Sequence, residues 1–176
     1  MKASRKQEAM WRHTVLACAL LTVILAGRAA ADTPAILGFA EGSVRIAVQR
    51  AVEGAAARLG RSSCQEVFSN FTDESGDRLS ATLVASGRSP ADAFSLLRFF
   101  DDRAAPQCHA GTTLAFTQTG SRVIRVCGLQ FSHRFLQNRT TTEIIVIHEF
   151  LHALGLGENP PTSDAITKQL AVRCGG

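Results

Sequence analysis

The sequence predicts an α+β fold, several helices with a β-hairpin among them. Three observations predict it. Residues 43–59 and 143–154 repeat apolar side chains at helical spacing. Two short runs, 113–117 and 122–127, have strand character and are joined by Gln118-Thr119-Gly120-Ser121, which reads as a β-hairpin. Residues 32–176 suffice for one domain with one core.

The chain opens with Lys2, Arg5, Lys6 and Arg12, an apolar run over 14–26, and then Ala29-Ala30-Ala31. That layout is expected of a secretory signal peptide over 1–31, with a single domain over 32–176. The apolar run is shorter than the ~20 residues of a membrane-spanning helix, so no stable membrane anchor is expected after cleavage. Of the 19 Lys and Arg, five (Lys2, Arg5, Lys6, Arg12, Arg28) precede Asp32, as does one of the 15 acids (Glu8), leaving 14 of each. The domain is therefore close to neutral and its basic residues are scattered, which argues against a nucleic-acid partner. The expected protein is secreted or periplasmic, and a monomer.

Within the domain, residues 43–59 place Val44, Ala47, Val48, Ala51, Val52, Ala55 and Leu59 on one face, with Ser43 as the expected cap and Gly60 as the stop. Residues 65–71 are ambiguous between helix and loop, and 79–85 between helix and strand. Ser89-Pro90 opens an expected helix over 91–100, with Phe94, Leu97 and Phe100 as its buried side. Residues 101–106 read as a loop and 130–139 as a polar-aromatic connector. A last helix is expected over 163–173, with Asp164 in its first turn and Lys168 and Arg173 towards its end, as the helix dipole favours.

Four cysteines follow the leader: Cys64, Cys108, Cys127 and Cys174. An even count in an exported chain points to disulfides, and no C-x-x-C pair suggests a metal knuckle. The favoured pairing is Cys108–Cys127, clamping the hairpin region, with Cys64–Cys174 tying back the C-terminal segment.

The helix over 143–154 carries the chemistry. Thr140 and Glu143 have capping-box spacing, and Gly155 is placed to end the helix. Ile144, Ile147, Leu151 and Leu154 form an apolar stripe, and Ile145, Val146 and Phe150 add apolar surface elsewhere. A helix apolar nearly all round is buried. Yet it holds His148-Glu149-Phe150-Leu151-His152, an H-E-x-x-H motif. Histidines four apart share a helix face and can present both rings to one metal ion, here Zn2+, with Glu149 beside its water as general base. Unpaired, such buried groups would cost roughly 2–7 kcal/mol each. A catalytic zinc needs a third protein ligand. Glu158 is the chosen one, because Gly155 and Gly157 allow the chain to swing back under the rings. His109 and His133 are the alternatives. The domain has no Tyr, which leaves His133, His109, an Arg or the metal alone to stabilise an oxyanion.

His148-Glu149-x-x-His152-x-x-Gly155-x-x-Glu158 resembles the extended signature of the metzincin branch of the zincin metallopeptidases, H-E-x-x-H-x-x-G-x-x-H or -D. The resemblance implies a zincin-like fold, with a small twisted sheet and a backing helix (residues 43–59) over the active-site helix. It implies His148, His152 and Glu158 as zinc ligands, Glu149 as the catalytic base and Gly155 as the turn. It also implies that residues 122–127 align a peptide or protein substrate by strand pairing. The third ligand position holds Glu instead of His or Asp, and Met1 and Met10 are too early to form the family's Met turn, so the broader zincin grouping is the better match. From about Cys64 onward the chain also resembles a group of small exported bacterial proteins. The expected activity is that of a secreted zinc metallopeptidase. The alternatives are a non-catalytic zinc-binding protein and a disulfide-stabilised exported interaction protein.

Overall fold

A computed structural model describes residues 32–158 and 160–176. The leader expected over 1–31 lies outside them. Helix α1 (Gly42–Leu59) buries the seven residues its periodicity selects, Val44, Ala47, Val48, Ala51, Val52, Ala55 and Leu59. It starts one residue before Ser43, and no side chain caps it, so the expected Ser43 cap is not used. Burying an apolar stripe suffices to hold a long helix without a cap. α1 lies along two later helices, α7 (Gly128–Gln137) and α8 (Arg139–Ala153).

Between α1 and the sheet run three short helices, α2 (Ser62–Gln65), α3 (Val67–Asn70) and α4 (Leu79–Ala85), which resolve both ambiguous segments as helical. Then comes α5 (Pro90–Ser95), where Ser89 and Asp92 form a reciprocal capping box. The helix expected over 91–100 stops there, with Leu96 as its C-cap, and strand β2 (Arg98–Asp101) follows. Phe94, Leu97 and Phe99 are the buried residues, and Phe100 is only half-buried. Tertiary pairing wins over helical spacing here, because β2 has a partner on each side.

The sheet order is β1-β2-β4-β3, with β1 (Ala35–Leu37) and β4 (Val123–Val126) parallel to β2. Phe99 of β2 stands opposite Ile124 of β4, and both are fully buried. β3 (Ala115–Phe116) pairs antiparallel with β4, as the hairpin reading requires. The implied role of 122–127 in aligning substrate needs correction. β4 is an inner strand with both edges occupied, and the edge on that side of the sheet is β3. Helix α6 (Pro106–His109) sits in the β2–β3 connection. The segment expected as a connector over 130–139 is mostly helix, α7, anchored by fully buried Phe131.

Both expected disulfides are present, Cys64–Cys174 and Cys108–Cys127. The first closes the last helix, α9 (Ser163–Cys174), onto α2. Among the described residues, no helix is long and apolar enough to cross a membrane.

α8 does not begin with the Thr140–Glu143 capping box. Asn138 is the N-cap, accepting from the Thr141 N–H at 3.1 Å. Glu143 is buried and receives the Arg58 Nε–H at 2.6 Å. Arg58 also donates to the Cys174 carbonyl (2.6 Å) and to Thr140 Oγ1 (3.1 Å), so one guanidinium joins α1, α8 and α9. Gly54 makes this possible, since a Cβ there would overlap the Glu143 carboxyl.

Gly→Ala inside a helix ordinarily stabilises by about 0.5–1 kcal/mol. Gly54→Ala should instead destabilise, because it displaces a buried ion-paired carboxylate. Glu143→Ala, leaving Arg58 unpaired, should cost about 3–5 kcal/mol. In that background Gly54→Ala should regain its ordinary stabilising sign. Urea unfolding of the two single variants and the double variant measures the coupling.

Candidate metal centre

The centre is built where α8 ends. His148 and His152 lie one turn apart, and the helix stops at Leu154 with Gly155 at φ +111°. Gly155 N–H donates to the His152 carbonyl (2.9 Å) and Leu156 N–H to the Leu151 carbonyl (3.1 Å). This is a Schellman closure, and its usual apolar seal is supplied by fully buried Leu156. Glycine is required at 155 both by the positive φ and by a Cβ position only 3.1 Å from Asp73 Cβ. The reversal carries Glu158 back towards the rings, as the sequence anticipates.

Three atoms able to bind a cation converge. His148 Nε2 and His152 Nε2 are 3.0 Å apart, and Glu158 Oε1 lies 3.6 Å from the first and 3.3 Å from the second. Ligand atoms at 2.0–2.1 Å from a tetrahedral ion stand about 3.3 Å from one another, so the spacing suits a small divalent cation. The hydrogen bonding agrees. His152 Nδ1 faces the Leu156 carbonyl at 2.6 Å, and a carbonyl only accepts, so the neutral ring keeps a lone pair at Nε2. His148 Nδ1 faces Thr167 Oγ1 at 2.9 Å. At most one hydrogen can sit between the two facing Nε2 atoms, and none remains for Glu158. Once that hydrogen is moved off Nε2, three lone pairs face one point, which is a cation-binding arrangement. His148 and His152 are buried, while Glu158 is exposed and can approach from the open side. Among the described residues this is the one cluster of three His, Cys, Asp or Glu side chains able to share an ion. His109 and His133 are exposed and lie outside it.

Glu149 points into the same cleft, which has a volume of about 510 Å³ and is walled by Phe116, Thr117, Gln118, Gln107 and Ser163. The residue is 6% exposed. Burial pushes its pKa up to about 8, the nearby Glu158 charge adds to the rise, and a backbone hydrogen bond from Thr117 opposes it. Burial, with help from His152, pulls His148 down to about 4 against the attraction of Glu158. In the metal-free protein these pKa values make a neutral imidazole and a largely protonated Glu149 at neutral pH.

Among the described residues no histidine or arginine beyond His148 and His152 lines this cleft, so the oxyanion candidates His109 and His133 are not placed there. Besides His148, Glu149, His152 and Glu158, the polar groups lining it are neutral: Gln107, Thr113, Thr117, Gln118, Thr119 and Ser163. Sequence reasoning assigned no site role to Thr167, Thr117 or Gln107. Thr167 had a usable signal. It follows Ile166 on the face of α9 that also holds Leu170 and Cys174, a lone hydroxyl beside a buried stripe. Thr117 and Gln107 had none, because only the sheet order brings their segments to α8. Comparison with protein-family models, with curated proteins and with solved structures gives no match.

The pKa shifts fix a pH dependence for the metal-free protein. His148, depressed from 6.5 to about 4, binds more protons unfolded than folded across that interval, so its contribution to stability grows as pH rises to 6.5. Glu149, raised from 4.5 to about 8, binds more protons folded, so its contribution shrinks as pH rises through that window. The two oppose one another below pH 6.5, and only the Glu149 loss acts between 6.5 and 8. Thermal midpoints measured with a chelator present should fall from pH 6.5 to 8, and Glu149→Gln should flatten that fall.

Proposed function

We propose that the chain is an exported, zinc-dependent peptidase of zincin type. The observation that carries the reading is the convergence of His148, His152 and Glu158 on one point, with Glu149 beside them in an open cleft. Two imidazoles and one carboxylate form a donor set suited to zinc, with room for a solvent ligand. Zinc bound there would supply a polarised carbonyl and a water of pKa near ~7.

The chain's own residues would do the rest. Glu149 is the proton carrier, taking the water proton and passing it to the leaving amine. Its raised pKa in the metal-free state describes a carboxyl that burial alone leaves poorly solvated; a cation beside it favours the ionised form the base requires. His152 is held by the Leu156 carbonyl and His148 by Thr167, so neither ring is free to swing. The outer side of β3 faces the cleft through Ala115 and Phe116 and has no strand partner among the described residues. An extended peptide can pair there and lie across the ligands. Gln107, Gln118 and Ser163 offer neutral donors to the substrate backbone or a developing oxyanion. The two disulfides support export, since such bridges persist in oxidising compartments.

Purified protein should hold one equivalent of zinc through dialysis, measured by elemental analysis. Glu158→Ala should weaken that binding. Glu149→Gln should keep the zinc and lower hydrolysis of a quenched-fluorescent peptide library about 10²–10⁴-fold. Equal turnover by Glu149→Gln would point to a metal site without peptidase chemistry, and protein that retains no zinc would remove the metal reading altogether.

A further inference from the structure

We propose that Thr167 is a positioning residue for the ligand pair, and that its hydroxyl resets the tautomer of His148 when a metal enters. The inference rests on the reading of His148 and His152 as ligands.

It starts from an asymmetry between the rings. His152 Nδ1 is committed as a donor, because the Leu156 carbonyl 2.6 Å away can only accept. Its Nε2 therefore presents a lone pair to His148 Nε2 at 3.0 Å. Two lone pairs at that distance repel. The neutral, metal-free pair is satisfied in one way: His148 carries its hydrogen on Nε2 and donates it to His152. Glu158 Oε1, 3.6 Å from His148 Nε2, lies beyond hydrogen-bond range as an alternative acceptor. His148 Nδ1 is then an acceptor, and Thr167 Oγ1–H donates to it across 2.9 Å.

Metal ligation by both rings needs both Nε2 lone pairs. His148 must then carry its hydrogen on Nδ1 and donate it to Thr167 Oγ1. One proton leaves Nε2 to solvent and one enters Nδ1 from solvent, so the net charge of the ring is unchanged. The partner at Nδ1 has to donate in the first state and accept in the second. A hydroxyl does both by rotating about its C–O bond, a carbonyl does only one, and an aliphatic side chain does neither. The rest of α9 keeps that hydroxyl in place. Ile166 and Leu170 on either side are fully buried, Thr162 caps the first turn, and Cys174 is bonded to Cys64.

The test compares full-length wild type with Thr167→Val and Thr167→Ser. Zinc affinity is measured by competition with a chromophoric chelator, and ring tautomers by two-bond ¹H–¹⁵N spectra with and without zinc. Wild type should show His148 protonated at Nε2 without metal and at Nδ1 with zinc, while His152 stays protonated at Nδ1 throughout. Thr167→Ser should keep both the switch and the affinity. Thr167→Val should bind zinc roughly 10–100-fold more weakly, with an unchanged circular-dichroism spectrum. Equal affinity in the valine variant, or metal-free wild type already protonated at His148 Nδ1, overturns this proposal while the metal reading stands. Wild type that takes up no zinc overturns the metal reading and this proposal with it. The metal-free wild-type spectrum decides the matter even where the valine variant fails to fold.

Discussion

Helix α8 brings four ionisable side chains, Glu143, His148, Glu149 and His152, into the interior, and the rest of the fold is arranged to answer them. Each answer comes from a different element. Arg58 of α1 meets Glu143, Thr167 of α9 meets His148, the loop after α8 meets His152, and Thr117 beside β3 meets Glu149. Among the described residues no buried side-chain polar atom lacks a partner. A buried group without one costs several kcal/mol, so displacement of any of these elements is penalised at the helix first. The apolar contacts supply most of the stabilisation, and these polar contacts determine which packing is adopted.

That division explains why the two ends of α8 differ. The first half carries Glu143 into a closed contact with an arginine that also holds the Cys174 carbonyl. It is a clamp between α1 and α9, with the Glu143 carboxyl buried in it. The second half carries the histidines and Glu149 into a cleft. A carboxyl matched to a guanidinium is spent on structure, whereas a carboxyl that burial keeps neutral has proton affinity available for chemistry. The same residue type, six positions apart on one helix, has two fates set by its neighbours.

Much of this could be read in the chain, and the missing parts have physical causes. The buried face of α1, the hairpin, both disulfides, the ends of α9 and the return of Glu158 towards the histidines follow from periodicity, cysteine count and glycine placement. Those signals are local, or are limited to few combinations. What was misread depends on long-range pairing. Residues 98–101 have helical spacing behind them but become a strand because β1 and β4 flank them. Glu143 has the right spacing for a cap, yet its partner lies 85 residues away in α1. The edge position of β3 follows from strand order, which no single segment encodes. Thr167 contacts His148 only because α9 folds back under the disulfide.

The reach of these contacts has a temporal corollary. Glu158, Thr167 and Cys174 all follow α8, and the disulfide bridges residues 110 apart. A growing polypeptide, made from its N-terminal end, meets α1 early and these pieces last. The hydroxyl that holds His148 and the disulfide that ties down its helix therefore arrive only with α9, however well the earlier helices form.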